Sequence, residues 1–401
     1  MINKKNTIYK EYINNKYKKK LNSKFTKILS KIKNEIDFNK NTFHVLSHKF
    51  NNSFRANDLT RFKKYKDIVI IGMGGSILGT EAIYECFKFK IKKNIFFLND
   101  LNVSKILDLK KKIILKKTLF LIVSKSGNTI ETLTNFISLK ILTKNSKNII
   151  LITEKKNNIL YSLAQKYNLM HIEHKNYIGG RYSVLSDVGL IPSILFGLNI
   201  KKLRSNIKKP LINKDSKFLR ESTIKLSNLL LQNKITNLVF LNYCPVLEKF
   251  LYWCQQLIAE SLGKKGKGFF PVVSNVPKDH HSLLQLYLDG PKDKFFYIFS
   301  LEEKSKIRLK GKSLPNKISY LKNKSFDAIK SAQIEAVKKT LKKNKIPFRE
   351  FNIKKLNEQI IGELFSYFIL ETAIIGQLVG INPFNQPAVE QVKTFTKNIL
   401  K

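Results

Sequence analysis

The sequence predicts an α/β protein: two tandem three-layer α/β/α sandwiches with mostly parallel sheets, flanked by N- and C-terminal helices. Three observations predict it. Short runs rich in β-branched and aromatic residues, at 68–71, 119–123 and 149–153, are almost continuously apolar rather than alternating, as strands covered on both faces are. Each run leads into a turn and then a stretch with helical spacing, the order that builds parallel sheets. The chain has 401 residues, enough for two cores of roughly 150 residues each.

Residues 1–60 are rich in Lys and Asn, and the spacing of Tyr12, Ile13, Tyr17, Phe25, Ile28, Leu29 and Ile32 predicts an N-terminal helical segment packed on the rest. The first α/β domain covers 61–205, with strands over 68–71, 94–98, 119–123, 149–153 and 170–172. A second α/β domain covers 206–380, beginning within a basic, Pro-containing stretch at 201–217. Its expected strands are 238–241, 295–299 and 347–351; its expected helices are 222–231, 246–262, 326–341 and 356–379. The apolar run at 364–381 is interrupted by Glu371, Gln377 and two glycines, and reads as a buried helix rather than a membrane span. Residues 381–401 form the expected C-terminal helical tail.

Lys and Arg total 74 against 29 acids, a formal charge of +45. A basic face would suit nucleic acid or an anionic membrane. The lysines, however, are spread along the whole chain and accompany heavy use of Asn, Ile and Phe, which reads as compositional drift. No arginine-rich arm, zinc-finger spacing or base-stacking aromatic motif goes with them, so neither a specific nucleic acid nor a membrane is expected as partner. A diffuse positive field still speeds encounter with anionic substrates at low salt. Cys86, Cys244 and Cys254 lack any pairing spacing, and the basic N-terminus has no apolar core, so a reducing, cytoplasmic location is expected.

Several segments carry candidate chemistry. Gly72-Met73-Gly74-Gly75-Ser76 lies where a strand meets a helix, where glycines let backbone approach a ligand and helix N–H groups face an anion; it reads equally as a tight turn. Ser124-Lys125-Ser126-Gly127-Asn128-Thr129 is more specific. Three hydroxyls, a lysine and a glycine at a strand-to-helix turn are what a phosphate needs, and an ordinary helix cap needs only one such hydroxyl. Gly179-Gly180-Arg181-Tyr182-Ser183 presents an arginine fork from a tight turn, for an oxyanion or for solvent.

Gln256 and Glu260 are four apart on one helix and share a face, ahead of the glycine-rich exit Gly263-Lys264-Lys265-Gly266-Lys267-Gly268. Glu260 reads as a partly desolvated base or as a solvated surface acid. Of the tandem pair His280-His281, at most one residue can face a site. His171 and His174 have no cysteine or carboxylate at a spacing that completes a tetrahedral metal site, and read as structural; no metal and no cofactor is expected.

Taken in order, these segments resemble the glucose-6-phosphate isomerase family. The matching patterns are G-x-G-G-S at Gly72–Ser76, the S-K-S/T loop at Ser124–Thr129, and G-G-R-Y/F-S at Gly179–Ser183. To these are added Q-x-x-x-E at Gln256 and Glu260, H-x-x-x-Q at His281 and Gln285, and the closing Q-x-x-G/A-x-E-x-x-K at Gln386–Lys393, with Ala388 where glycine is usual. The resemblance runs from about residue 65 to the end and implies two sugar-isomerase (SIS) type domains. It implies that Glu260 carries a proton between C2 and C1 of glucose 6-phosphate and fructose 6-phosphate through a cis-enediol, with Arg181 stabilising its charge. His281, assisted by Lys393, would open the sugar ring. Ser124, Lys125, Ser126 and Thr129 would hold the phosphate, and Gly75, Ser76, Gln256 and Gln386 the sugar. A homodimer is implied as well, the histidine completing the partner's site. A broader isomerase that also takes mannose 6-phosphate, and a non-catalytic sugar-phosphate-binding regulator, are the alternatives. Ala388 adds a methyl and lacks glycine's access to positive φ, which bears on the local turn and not on Lys393.

Overall fold

The computed structural model describes residues 1–38, 40–302, 305–310 and 315–401. Among the described residues the strands are β1 Ile2–Thr7, β2 Asp67–Gly72, β3 Asn94–Leu98, β4 Thr118–Val123, β5 Ile149–Thr153, β6 Met170–Glu173, β7 Asn237–Asn242, β8 Phe270–Asn275, β9 Lys294–Leu301 and β10 Phe348–Ile353. The helices are α1 Asn15–Glu35, α2 Leu78–Phe87, α3 Val103–Lys112, α4 Ile130–Ser138, α5 Ile159–Tyr167, α6 Asp187–Leu195, α7 Ile200–Ser205, α8 Asn213–Gln232, α9 Glu248–Leu262, α10 Leu284–Asp289, α11 Phe326–Lys343, α12 Glu358–Leu378 and α13 Val389–Ile399.

The first sheet has the order β3-β2-β4-β5-β6 and is parallel throughout. Its strands are buried on both faces because successive side chains serve different cores. Ile68, Ile70, Leu119 and Leu121 pack with Ile191 and Leu195 of α6. Val69, Ile71, Phe120 and Ile122 pack with Leu109, Phe136 and Leu160 of α3, α4 and α5. That is the expected three-layer sandwich. Register positions the chemistry: Gly72 pairs with Val123, so the turns that follow β2 and β4 leave the sheet side by side at its carboxyl edge, where open α/β sheets bind ligands.

The second sheet has the order β1-β10-β9-β7-β8, parallel except for β1, which runs antiparallel to β10. It too has helices on both faces. Phe240, Tyr297 and Phe351 pack with α8, α9 and α12, while Val239, Phe296 and Ile298 pack with Tyr287, Val337 and Leu341 of α10 and α11. Residues 1–60 carry α1 but begin with β1, a strand whose polar residues show no apolar alternation. β8 was also unforeseen. Helix α12 is long and apolar enough to cross a membrane by composition alone, yet 94% of its most apolar window is buried inside the protein. It is the central helix of the larger core. That core is continuous from Ile83, Tyr182 and Leu185 of the first half to Trp253, Phe365 and Phe368 of the second, and it brings the end of α9 against the glycine turns of the first sheet.

Candidate active site

Two glycine turns and one helix end form the centre. After β2 the chain makes a 3-10 turn over Gly74–Ser76. Gly74 has φ +51°, and a Cβ there would lie 2.7 Å from Gln256 Nε2 on α9, so both its handedness and its closeness to α9 require glycine. The 3-10 segment Gly180–Leu185 crosses the β2 turn backbone to backbone at Gly75 and buries the Arg181 side chain.

Arg181 uses its whole fork. Nε donates to Ser261 Oγ at 2.8 Å, Nη1 to Glu260 Oε2 at 3.1 Å and to Gln386 Oε1 at 2.7 Å, and Nη2 to the carbonyls of Pro383 at 2.7 Å and Asn385 at 3.2 Å. The Arg181 side chain is 2% exposed and that of Glu260 32%. The guanidinium is therefore fixed from behind while the carboxylate keeps access to a ligand, an arrangement in which a rigid cation polarises a reachable acid. Gln256 Nε2 donates to Glu260 Oε1 at 2.9 Å, as their shared helix face predicts. Tyr182 O–H lies 2.8 Å from Ser261 Oγ and donates to the Pro383 carbonyl at 2.9 Å, so the segment 383–386 is held across the site.

The expected phosphate loop follows β4. Ser124 Oγ and Thr129 Oγ1 are 2.9 Å apart, Ser126 Oγ and Thr129 Oγ1 3.5 Å apart, and the Gly127 N–H donates to Ser124 Oγ at 3.2 Å. Gly127 has φ +69°, and a Cβ on it would lie 1.7 Å from Asn158 Oδ1. The loop thus rests on the β5–α5 connection, to which it is also tied by Ile159 N–H donating to Asn128 Oδ1 at 3.0 Å. Lys125 Nζ donates to the Asn176 carbonyl at 2.8 Å and lies 3.6 Å from Glu154 Oε1. Burial pushes its ammonium below the usual lysine range, and Glu154 opposes that shift.

The structure gathers Gly75, Gln256, Glu260, Arg181 and Gln386 into one cluster, with Ser76 in the same glycine turn. Ser124, Lys125, Ser126 and Thr129 form a second cluster on the neighbouring strand end. It does not bring His281 or Lys393 to them. His281 is exposed just after the 3-10 turn Lys278–His280. His280 instead accepts or donates at 2.8 Å with the buried Tyr243 O–H, a structural contact that leaves His281 as the freer of the pair. Lys393 lies on α13, where it pairs with Glu390 at 2.7 Å. Ala388 takes φ −62°, ψ −32°, ordinary right-handed backbone that does not need glycine.

His171 Nε2 bonds the Thr153 carbonyl at 3.1 Å and His174 Nδ1 the Lys175 carbonyl at 3.1 Å. Burial pushes His174 down to about 4, so its imidazole is neutral over the ordinary pH range. Sequence reasoning missed Ser261 and Asn385 and gave no role to Tyr182 within its motif; all three act on the site through contacts distant in the chain. The only signal for Ser261 was its place beside Glu260.

Residues 22–268 match the phosphoglucose isomerase family. A probable glucose-6-phosphate isomerase of Methanococcus maripaludis is 34% identical over 89% of this chain and 83% of its own. The glucose-6-phosphate isomerase of Methanocaldococcus jannaschii is 32% identical over 92% of this chain and 95% of its own. Among solved structures, the glucose-6-phosphate isomerase of Chlamydia trachomatis superposes with a TM-score of 0.71 at 21% identity, covering 86% of this chain and 72% of that one, a likeness of fold.

Proposed function

The chain belongs to the phosphoglucose isomerase family, and from that premise we propose that it interconverts glucose 6-phosphate and fructose 6-phosphate with Glu260 as the proton carrier. The observation that carries the residue assignment is the contact between the Glu260 carboxylate and the buried Arg181 fork, at 3.1 Å. On this reading the Glu260 carboxylate takes the C2 proton of the open-chain aldose while O1 gains a proton, leaving a cis-enediol with a double bond between C1 and C2. Returning the carried proton to C1 as O2 loses its own gives the ketose. Negative charge that develops on the enediol oxygens is stabilised by Arg181, already oriented before substrate arrives.

The remaining roles follow the same reading. Ser124, Lys125, Ser126 and Thr129 hold the phosphate with charge-assisted hydrogen bonds worth roughly 1.5–3 kcal/mol each. Gly75, Ser76, Gln256 and Gln386 line the sugar. Ring opening needs an acid–base group at the ring oxygen, and His281, exposed on its turn, supplies it to the site of a second copy in a homodimer. Lys393 assists there. The enzyme serves glycolysis and gluconeogenesis in the cytoplasm.

A coupled assay that converts fructose 6-phosphate to glucose 6-phosphate tests the activity, with mannose 6-phosphate as a second substrate to define its breadth. Glu260→Gln is expected to keep substrate affinity and to lose roughly 10²–10⁴-fold in turnover or more. Unchanged turnover would remove Glu260 from the role.

A further inference from the structure

The glycine-rich exit of α9 carries a lysine that the reaction as described does not use. The backbones of Lys264 and Lys267 exchange hydrogen bonds at 3.0 Å in both directions, and Lys265 and Gly266 take φ +56° and +65°. The chain therefore doubles back on itself, and the Lys264 side chain returns beneath the end of the helix. There Nζ donates to the Glu260 carbonyl at 2.5 Å and to the Asn385 carbonyl at 2.8 Å. The Asn385 carbonyl also accepts from Arg181 Nη2, at 3.2 Å. Two cations thus grip one carbonyl of the segment that delivers Gln386 to Arg181. Lys264 is half-buried, and burial and the neighbouring Arg181 push its ammonium down to about 8, with Glu260 opposing.

We propose, resting on the isomerase reading, that Lys264 is a positioning residue that fixes the backbone of Glu260 and clamps the strap of residues 382–388 onto Arg181. A lysine that merely capped a helix would satisfy last-turn carbonyls of its own helix. Lys264 makes one such bond, to Glu260, and directs the other to a carbonyl 121 positions away. The clamp joins three parts of the reaction: the proton carrier, the cation that stabilises the enediol, and the strap that holds Gln386 and leads to Lys393. Without it the Asn385 carbonyl is held by Arg181 Nη2 alone, and small displacements of a proton carrier are costly in rate.

The test compares the full-length wild type with Lys264→Met and Lys264→Arg in the coupled assay, with amide hydrogen exchange on the same samples. Lys264→Met is expected to lower kcat by about 10- to 100-fold with much less change in KM, and to speed exchange of the strap's Phe384 amide, which donates to Asn382 Oδ1 at 2.9 Å, while the amides of α12 stay protected. Lys264→Arg keeps the charge and the donors, and is expected to recover most of kcat and the slow exchange. Wild-type kcat and exchange in the Met variant would overturn the proposal. So would an Arg variant that folds and yet performs no better than Met, or one that is fully active while the strap exchanges freely. A wild type without isomerase activity would instead sink the isomerase reading, and the exchange measurement would still decide the clamp.

Discussion

A Cβ on Gly75 would lie 2.3 Å from the carbonyl carbon of Gly180 and 2.4 Å from the amide nitrogen of Arg181. The two glycine turns, one after β2 and one after β6, therefore touch backbone to backbone, and the β2 turn sets where the arginine begins. Gly75→Ala must push that backbone aside. The expected result is a loss of about 100-fold in kcat/KM together with a destabilisation of about 1–3 kcal/mol from overpacking, read in the coupled assay and by thermal melting. Gly180→Ala is the control. A Cβ there meets nothing nearer than the Gly75 Cα at 3.9 Å, so it should fold and melt like the wild type. Equal effects from the two substitutions would show that the contact does not set the arginine.

Lys125 is held ready by the Asn176 carbonyl and by Glu154. If it serves the phosphate and not the reacting carbons, Lys125→Met should raise KM for fructose 6-phosphate by about 10- to 100-fold, the size of one charge-assisted hydrogen bond, and leave kcat within a few-fold. Inhibition by inorganic phosphate should weaken in parallel. A variant with normal KM and depressed kcat would move Lys125 out of the phosphate site and into the chemistry.

How far the sequence could be read depended on whether the signal was local. β2, β4 and β5 were legible because strands buried on both faces need unbroken apolar runs. β1 was not. In it Ile2 is buried, and Lys4 is 4% exposed at its side chain because its ammonium pairs with Asp215 at 2.6 Å and Glu363 at 3.3 Å; no local rule marks a lysine as buried. β8 opens on Phe270-Pro271 after the glycine-rich exit, where proline and glycine argue against a strand. The same division holds at the site. Gln256 and Glu260 were visible through a spacing of four, whereas the partners that orient Arg181 lie up to 205 positions away, and Lys264 gave only the sign of its charge.

Arg349 and Glu371 form a buried ion pair in the second half, side chains 0% and 2% exposed, with Nη1 and Nη2 each 2.6 Å from a carboxylate oxygen. Tyr367 O–H donates to the same carboxylate at 2.7 Å, and the guanidinium lies 3.8 Å from the centre of the Tyr297 ring. Arg349→Met strands an unpaired buried carboxylate and is expected to cost about 3–5 kcal/mol in denaturant unfolding. Replacing both residues, Arg349→Met with Glu371→Leu, removes the stranded charge but leaves the buried Tyr367 and Ser222 hydroxyls without this acceptor, and should restore part of that loss. A double variant no better than the single one would place the cost in packing instead.

Asp187, the first residue of α6, ties the loop at Ser53 to that helix. Its Oδ1 accepts the Ser53 N–H at 3.0 Å, while Oδ2 is buried and without a hydrogen-bond partner among the described residues. Burial pushes its carboxyl up to about 6, opposed by the Ser53 N–H and by Lys175. Because the folded value lies above the ordinary carboxylate range, the protonated acid is the form the fold prefers. Its contribution is complete below the unfolded value of about 3.9 and is lost as pH rises through about 6. A rise of that size corresponds to about 3 kcal/mol by linkage. The interaction of the ionised carboxylate with the α6 N-terminus, about 0.3–1 kcal/mol, is already part of where the carboxyl titrates. Asp187→Asn has no proton to gain, so the stability of the wild type relative to this variant should fall between about pH 4 and pH 7 and level off above. Urea midpoints of both proteins across that range measure it. Curves that run parallel would show that the buried carboxyl titrates no differently in the folded chain.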